Sequence, residues 1–328
     1  MDPLDFPNRL TLELTNACIY SCPMCPSRLR PREPKGFMDE GLFRRLADEA
    51  AEHLPVALVP FFRGESLLHP RLSVLLAYAK SRGLGPIQLV SNGLLLTDFL
   101  AGELLDLGLD FISFSLDTVW PDEYAQIRRG GSFETVMANV MNFLDRRTAG
   151  GYATEVRVSA TRTAINRDNL DDFIEFWRDK ADLTRIYYEH STDGHTGSLD
   201  CPEIPRAMER RACLKPFCDM VIYWNGEAAL CNHDWYRSPS LGNAAEAPLR
   251  RIWHGPAYVA LRGWHLQPKK TLDDPTCLHC DHWKMYYLPQ SMVGEIYPRR
   301  RPERAVLRLV RKPARGQPLK TTPDAGRP

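Results

Sequence analysis

Cys18, Cys22 and Cys25 stand in the run Asn16-Ala-Cys-Ile-Tyr-Ser-Cys-Pro-Met-Cys-Pro26, a C-x3-C-x2-C spacing. A cubane iron–sulfur cluster has four irons, and four cysteines saturate them. Three thiolates leave one iron open, which is the condition for a metal site that binds a substrate or cofactor directly. C-x2-C alone would suit zinc or a redox pair, but a lone triplet needs a fourth ligand, and none follows before His53. A second set, Cys213, Cys218, Cys231, Cys277 and Cys280, lies beyond residue 200 in a loop- and tryptophan-rich region. Its terminal Cys277-Leu-His-Cys280 suits a four-cysteine zinc ribbon as well as a closed cluster.

These residues need a scaffold, and the pattern between the two sets supplies one. From residue 10 to about 190, apolar strand-like runs alternate with amphipathic helical ones, the signature of a parallel sheet wrapped by helices. The runs predict strands over 10–15, 56–62, 87–91, 111–115, 155–160 and 185–188, and helices over 39–54, 70–83, 98–107, 132–147 and 169–181. Asp39, Asp98 and Asn169 can cap helix starts, and Gly83 and Gly108 follow helix ends. The first cysteines then sit on a loop at a strand's carboxyl end, where α/β folds carry their active sites. Polar groups follow the next strands in turn: Arg63-Gly-Glu65, Ser91-Asn92-Gly93, and Ser115-Leu-Asp117 with Ile127-Arg128-Arg-Gly-Gly-Ser-Phe133. In the later region, Met220–Trp224, an Asn225-Gly226 turn and a short strand reaching Cys231 read as a hairpin.

Taken together, the cysteine triplet and the strand-end elements resemble the radical S-adenosylmethionine (radical SAM) superfamily. The resemblance implies a (β/α)6 partial TIM barrel and a [4Fe–4S] cluster on Cys18, Cys22 and Cys25. The open iron would chelate the amino and carboxylate groups of S-adenosyl-L-methionine, and reductive cleavage of the sulfonium would release a 5′-deoxyadenosyl radical. It places Glu65 at the SAM amino group, Asn92 beside SAM, and Ser115 and Asp117 at the ribose and carboxylate end. Arg128 or Arg162 would pair with the carboxylate. Cys213-x12-Gly226-x4-Cys231, Leu241-Gly-Asn243, Leu249-x2-Ile-Trp253 and the final C-x2-C resemble the SPASM/twitch extension of that family. It implies an auxiliary [4Fe–4S] cluster on Cys213, Cys231, Cys277 and Cys280. The single-cluster layout is most similar to that of radical SAM aminocyclitol dehydrogenases. The chemistry implied is oxidation of a carbinol carbon in a small polar metabolite, an aminocyclitol or sugar, with the auxiliary cluster accepting an electron. A flavodoxin- or ferredoxin-type protein would supply the reducing electron.

Alternatives stay open at this point. Cys218 is a small buried hydrophobe, an alternative cluster ligand, or a hydrogen donor to a substrate radical; the last would make the protein an epimerase. Cys201 reads as incidental. His190, Asp193 and His195 follow the last barrel strand and can offer a general base, or they belong to a polar surface loop. Only nine residues precede the first strand, leaving little to grip a leader peptide, so peptide maturation ranks behind a small substrate. A zinc-binding interaction module is the non-enzyme reading, and it predicts colourless protein.

Composition narrows the class. The chain of 328 residues is 44% hydrophobic, enough for one large unit and a small one. The expected division is a barrel over 1–195, an auxiliary-cluster domain over 196–290 and a basic tail over 291–328. No run approaches a membrane span, the N-terminus lacks a signal peptide's features, and nine cysteines then point to metal and to the cytoplasm. The net charge of +1 hides an uneven spread, with ten Lys/Arg against two Asp/Glu in 299–328. That Pro- and Arg-rich stretch lacks aromatic residues, so it reads as a disordered, solvated tail and not as a nucleic-acid binder.

Overall fold

A computed structural model describes residues 3–29, 33–188, 209–267, 275–287 and 294–299. His190, Asp193, His195, Cys201 and the tail from 300 onward lie outside the described residues. Six parallel strands form the expected frame: β1 (Arg9–Leu12), β2 (Ala57–Val59), β3 (Gln88–Ser91), β4 (Phe111–Ser115), β5 (Glu155–Arg162) and β6 (Leu183–Tyr188). β1 pairs with β2, and β3 to β6 pair in sequence order. Between these two groups the join is narrow: a parallel bridge of Leu58 with Ile87, and Leu58 N–H donating to Pro86 O at 3.1 Å.

The helices between the strands are α1 (Glu40–Ala51), α2 (Leu72–Ser81), α3 (Asp98–Asp106), α4 (Pro121–Ile127), α5 (Phe133–Ala149) and α6 (Leu170–Trp177). α1 shows how local sequence sets them. Asp39 accepts from Leu42 N–H at its start, a cap worth about 1 kcal/mol, and Phe43, Leu46, Ala47 and Ala50 form the buried stripe. Thr97, and not Asp98, caps α3 by accepting from Leu100 N–H. Asp98 sits in the first turn, paired with Arg146 at 3.2 Å. Asn169 occupies the N-cap of α6, but its side chain donates to Glu123 instead. α4 is an additional helix inside the crossover from β4 to β5, started by Pro121 with Asp122 and Glu123 in its first turn.

Both edges of the frame are extended. β7 (Asp219–Ile222) runs parallel to β1 and carries the short antiparallel β8 (Ala228–Ala229), so the expected hairpin joins the barrel sheet. Leu241–Asn243 lies against the hairpin, with Ala228 N–H donating to Gly242 O and Leu241 N–H to Ala228 O. At the opposite edge β9 (Gly294–Pro298) pairs antiparallel with β6, so ordered structure continues into the stretch expected to be tail. Four further helices complete the later region: α7 (Lys215–Cys218), α8 (Leu249–Trp253), α9 (Pro256–Leu266) and α10 (Pro275–His279). Glu49 of α1 accepts both Leu249 and Arg250 N–H groups, capping α8 from the barrel at 2.8 and 2.9 Å. Leu10, Leu12, Leu58, Leu89, Ile112, Phe114, Val156 and Val158 lie in one apolar cluster that also takes in Trp253 and Leu261 of the later region.

Candidate active site

The triplet occupies the loop after β1. Cys25 N–H donates to Cys22 O at 3.0 Å, giving the loop its turn. Thr15 and Asn16 strap that loop to the returning chain: Thr15 Oγ1 donates to Gly36 O at 2.7 Å and Asn16 Oδ1 accepts from Gly36 N–H at 3.0 Å. Two glycines let neighbouring segments come close. A Cβ on Gly64 would lie 2.2 Å from Thr15 O and 2.6 Å from Ala17 O, so only glycine allows Glu65 N–H to donate to Ala17 O at 2.8 Å. A Cβ on Gly131 would lie 2.3 Å from the hydroxyl oxygen of Tyr20, a residue whose hydroxyl shares a 2.9 Å hydrogen bond with that of Tyr124.

Cys18, Cys22 and Cys25 open on one cavity of about 330 Å³, whose wall includes Glu65, Ser91, Asn92, Ser115 and Arg128. The sequence-predicted SAM residues thus converge, with one change of role. Asp117 stands behind the wall, 1% exposed and at φ +68°. Its Oδ1 accepts from Thr161 N–H and its Oδ2 lies 2.5 Å from Arg128 Nε. It therefore orients Arg128, whose Nη1 reaches 4.0 Å from Cys22 Sγ. Arg162, the other candidate, is exposed at the end of β5 and stacks over Tyr188.

Glu65 is also committed to the protein. One oxygen accepts from Leu67 N–H at 3.1 Å and the other from Asn92 N–H at 2.9 Å, tying the second strand's loop to the third. Burial pushes its carboxyl above the usual range. Desolvation likewise pushes Cys18 up to about 11 and raises Cys22, so metal loading must drive protons off these thiols.

Arg63, at the start of the Arg63-Gly-Glu65 run, is fully buried. Its Nε and Nη2 donate to the two oxygens of Glu13 at 2.6 and 3.0 Å, and its Nη1 lies 3.1 Å from Glu33. Its guanidinium stacks 4.3 Å over Tyr223, at the end of the hairpin's first strand. Glu33 continues to Arg237 at 3.3 Å, so a chain of alternating charges runs from β1 to the hairpin region. Phe62 packs on Trp235 with ring centroids 5.5 Å apart, and both line the cavity. Sequence reasoning missed Tyr20, Met24, Lys35, Phe62 and Trp235 in this wall. Trp235, four residues after Cys231, was the one with a local signal.

Cys213, Cys231, Cys277 and Cys280 meet around a second, small cavity of about 20 Å³. Burial raises all three of Cys213, Cys231 and Cys280, the last to about 12. Backbone N–H groups of His233 and His282 point at Cys231 and Cys280 Sγ, at 3.3 and 3.4 Å. A buried four-thiol set with N–H donors suits a fully ligated cluster. Cys218 lines neither cavity; its thiol donates to Leu214 O at 3.2 Å. Of the three alternatives the sequence leaves open for Cys218, this placement in the last turn of α7 favours the small hydrophobe over a cluster ligand or a hydrogen donor.

Residues 12–179, half of the chain, match the model of the radical SAM superfamily. The chain belongs to the radical SAM superfamily. Residues 213–281 match the SPASM iron–sulfur cluster-binding domain, a span that begins at Cys213 and takes in the other three thiols. The protein therefore carries a SAM-binding [4Fe–4S] cluster, an auxiliary cluster and SAM as its cofactors. It is 26% identical, over 83% of its own length and 86% of the relative's, to the tungsten-containing aldehyde ferredoxin oxidoreductase cofactor-modifying protein of Pyrococcus furiosus. Its fold is shared with BtrN in complex with AdoMet and 2-DOIA, at TM-score 0.56 and 19% identity over 86% of this chain and 94% of that one. SuiB of Streptococcus suis bound to its precursor peptide SuiA aligns at TM-score 0.65 and 16% identity, over 86% of this chain and 71% of that one. Among the described residues no helix is long and apolar enough to cross a membrane.

Proposed function

We propose that this radical SAM enzyme oxidises a carbinol carbon of a small polar metabolite, an aminocyclitol or sugar, to a carbonyl. The observation that carries the reading is the pairing of an open three-cysteine cavity with a closed four-cysteine one through a shared segment. Cys231 lines the closed cavity and Trp235, four residues on, lines the open one. Converting a carbinol to a carbonyl removes one hydrogen atom, one electron and one proton. SAM, bound at the open cluster, would supply the acceptor for the hydrogen atom, the closed cluster an acceptor for the electron, and a base, for which His190 and His195 are the candidates in the sequence, an acceptor for the proton. The chain's residues position these groups. Arg128, held by Asp117, would pair with the SAM carboxylate; Glu65 and Asn92 would join the loops that receive its amino end; Phe62 and Trp235 would keep water from the far wall.

Epimerisation would need a thiol at the cavity, and Cys218 is held elsewhere by Leu214. The neighbour solved with AdoMet and 2-DOIA also aligns over more of its own length than the peptide-bound one, 94% against 71%. A flavodoxin- or ferredoxin-type donor would reduce the open cluster. The test incubates candidate aminocyclitols and sugars with SAM and reductant in deuterated water. The expected product is a ketone without solvent deuterium at that carbon, abolished by Cys231→Ala and unaffected by Cys218→Ala. A product with deuterium fixed at an inverted carbon would overturn the reading in favour of epimerisation.

A further inference from the structure

Among the side chains that line the closed cavity besides the four cysteines, His265 stands beside a sulfur and Arg210 on the backbone carbonyls of two of the cysteines. His265, in the last turn of α9, is 4% exposed and sets Nε2 3.8 Å from Cys277 Sγ. Its Nδ1 is buried without a hydrogen-bond partner among the described residues. An unmet buried acceptor costs less than an unmet buried donor, because a second N–H pointing at nothing loses a full hydration bond. The neutral ring therefore carries its proton on Nε2, aimed at the thiolate. Arg210 stands three residues before Cys213 and donates from Nη1 to Cys280 O and from Nη2 to Cys277 O, both at 3.1 Å. Its guanidinium also stacks 5.0 Å from Trp283, another wall residue. Among the described residues no carboxylate forms an ion pair with Arg210, whereas Arg128 at the open cavity is balanced by Asp117 at 2.5 Å.

We propose that His265 and Arg210 are positioning residues that raise the reduction potential of the auxiliary cluster. Hydrogen bonds to cluster sulfurs and positive charge nearby both stabilise the more negative, reduced form. At the open site Arg128, the cation 4.0 Å from Cys22 Sγ, is paired with the Asp117 carboxylate. The two sites thus differ in the direction that makes the closed one the easier to reduce. This deepens the reading of the closed cluster as electron acceptor and rests on it for its purpose, though not for its measurement.

The measurement is an anaerobic, EPR-monitored redox titration of the full chain carrying Cys18→Ala, Cys22→Ala and Cys25→Ala, so that only the auxiliary cluster reports. His265→Leu removes the N–H donor, and Arg210→Met removes the charge. Each should lower the reduction equilibrium constant roughly tenfold, about 59 mV for a one-electron couple. His265→Gln and Arg210→Lys, which keep a donor or a charge, should restore at least half of the shift. Unchanged potentials in His265→Leu and Arg210→Met at full iron content would overturn the proposal. So would loss of the cluster from both conservative variants, which would assign the two residues to holding the fold. Because no substrate is present, shifted potentials with no carbinol oxidation would sink the proposed reaction and leave this inference standing.

Discussion

The Arg63–Glu13 pair offers the sharpest test of how the barrel and the hairpin region are joined. Both side chains are 0% exposed, and the guanidinium meets the carboxylate through two hydrogen bonds. Arg63→Met leaves the Glu13 carboxylate buried and uncompensated, with Trp224 N–H at 3.3 Å still donating to it. Breaking a buried pair from one side costs about 3–5 kcal/mol. A single domain is stable by only about 5–15 kcal/mol, so this is a large share of the total. At a urea m-value of about 3 kcal/mol/M the midpoint should fall by about 1–1.7 M. The double variant Arg63→Met/Glu13→Leu removes the stranded charge as well and should recover most of that loss. It should end about 1–2 kcal/mol below the parent, the cost of leaving Trp224 N–H unmet. The assay is anaerobic urea denaturation of the cluster-loaded protein, followed by tryptophan fluorescence. A single variant within about 1 kcal/mol of the parent would refute the reasoning, as would a double variant no more stable than the single. Either result would mean that water reaches the pair.

Other consequences follow from the same geometry. Gly64→Ala forces a Cβ against Thr15 O and Ala17 O; it should abolish the SAM-binding cluster while sparing the auxiliary one, halving iron from about eight to about four per chain, as counted by iron and sulfide analysis. Arg128→Met and Asp117→Asn should both weaken SAM binding, the first by more than about tenfold and the second by less, because Asp117 acts through Arg128; calorimetric titration of SAM into the loaded protein measures this, and a larger effect at Asp117 would contradict the assignment. His69 is pushed below its ordinary value of about 6.5 by burial, with Nδ1 accepting from Arg71 N–H at 3.2 Å and Nε2 at 3.0 Å from Met38 O. The unfolded chain takes up that proton first, so the stability His69 contributes is complete above pH ~6.5 and is lost as pH falls through the folded value. Urea midpoints of the parent should therefore drop on acidification below pH ~6.5, and His69→Leu should flatten that drop; an equal slope in the two would exclude His69 as the cause.

Much of this site was legible because it is local. Cys18, Cys22, Cys25, Glu65, Asn92 and Ser115 each lie at or just after the carboxyl end of a parallel strand, and strand order alone brings such positions together, whereas Arg128 arrives at the end of α4. The hairpin was equally legible from its Asn225-Gly226 turn. What the sequence hid depends on contacts across long separations. Arg63 sits 50 residues from Glu13, and nothing in the local run shows that β7 pairs with β1 and so carries Tyr223 to Arg63 and Trp235 to the cavity. Asp117 looked like a ligand residue, but its positive φ turns it to Thr161 and Arg128 instead. α4 carries its own signals, Pro121 followed by two acids, in a stretch that is too short between strand end and next helix to stand out as a crossover helix. β9 pairs with β6 from more than 100 residues away, and its five residues, Gly-Glu-Ile-Tyr-Pro, are too short a run beside the basic stretch to mark a strand on their own.

The most direct measurement uses aminocyclitols and sugars deuterated at single carbinol carbons, with SAM and a one-electron reductant under anaerobic conditions. Mass spectrometry of the 5′-deoxyadenosine reads where the hydrogen atom came from. The account predicts deuterium in 5′-deoxyadenosine from one labelled carbinol position, with one ketone formed for each molecule of 5′-deoxyadenosine released. SAM cleavage that proceeds with no label transfer from any carbinol, and with transfer instead from a labelled peptide or nucleotide, would contradict it.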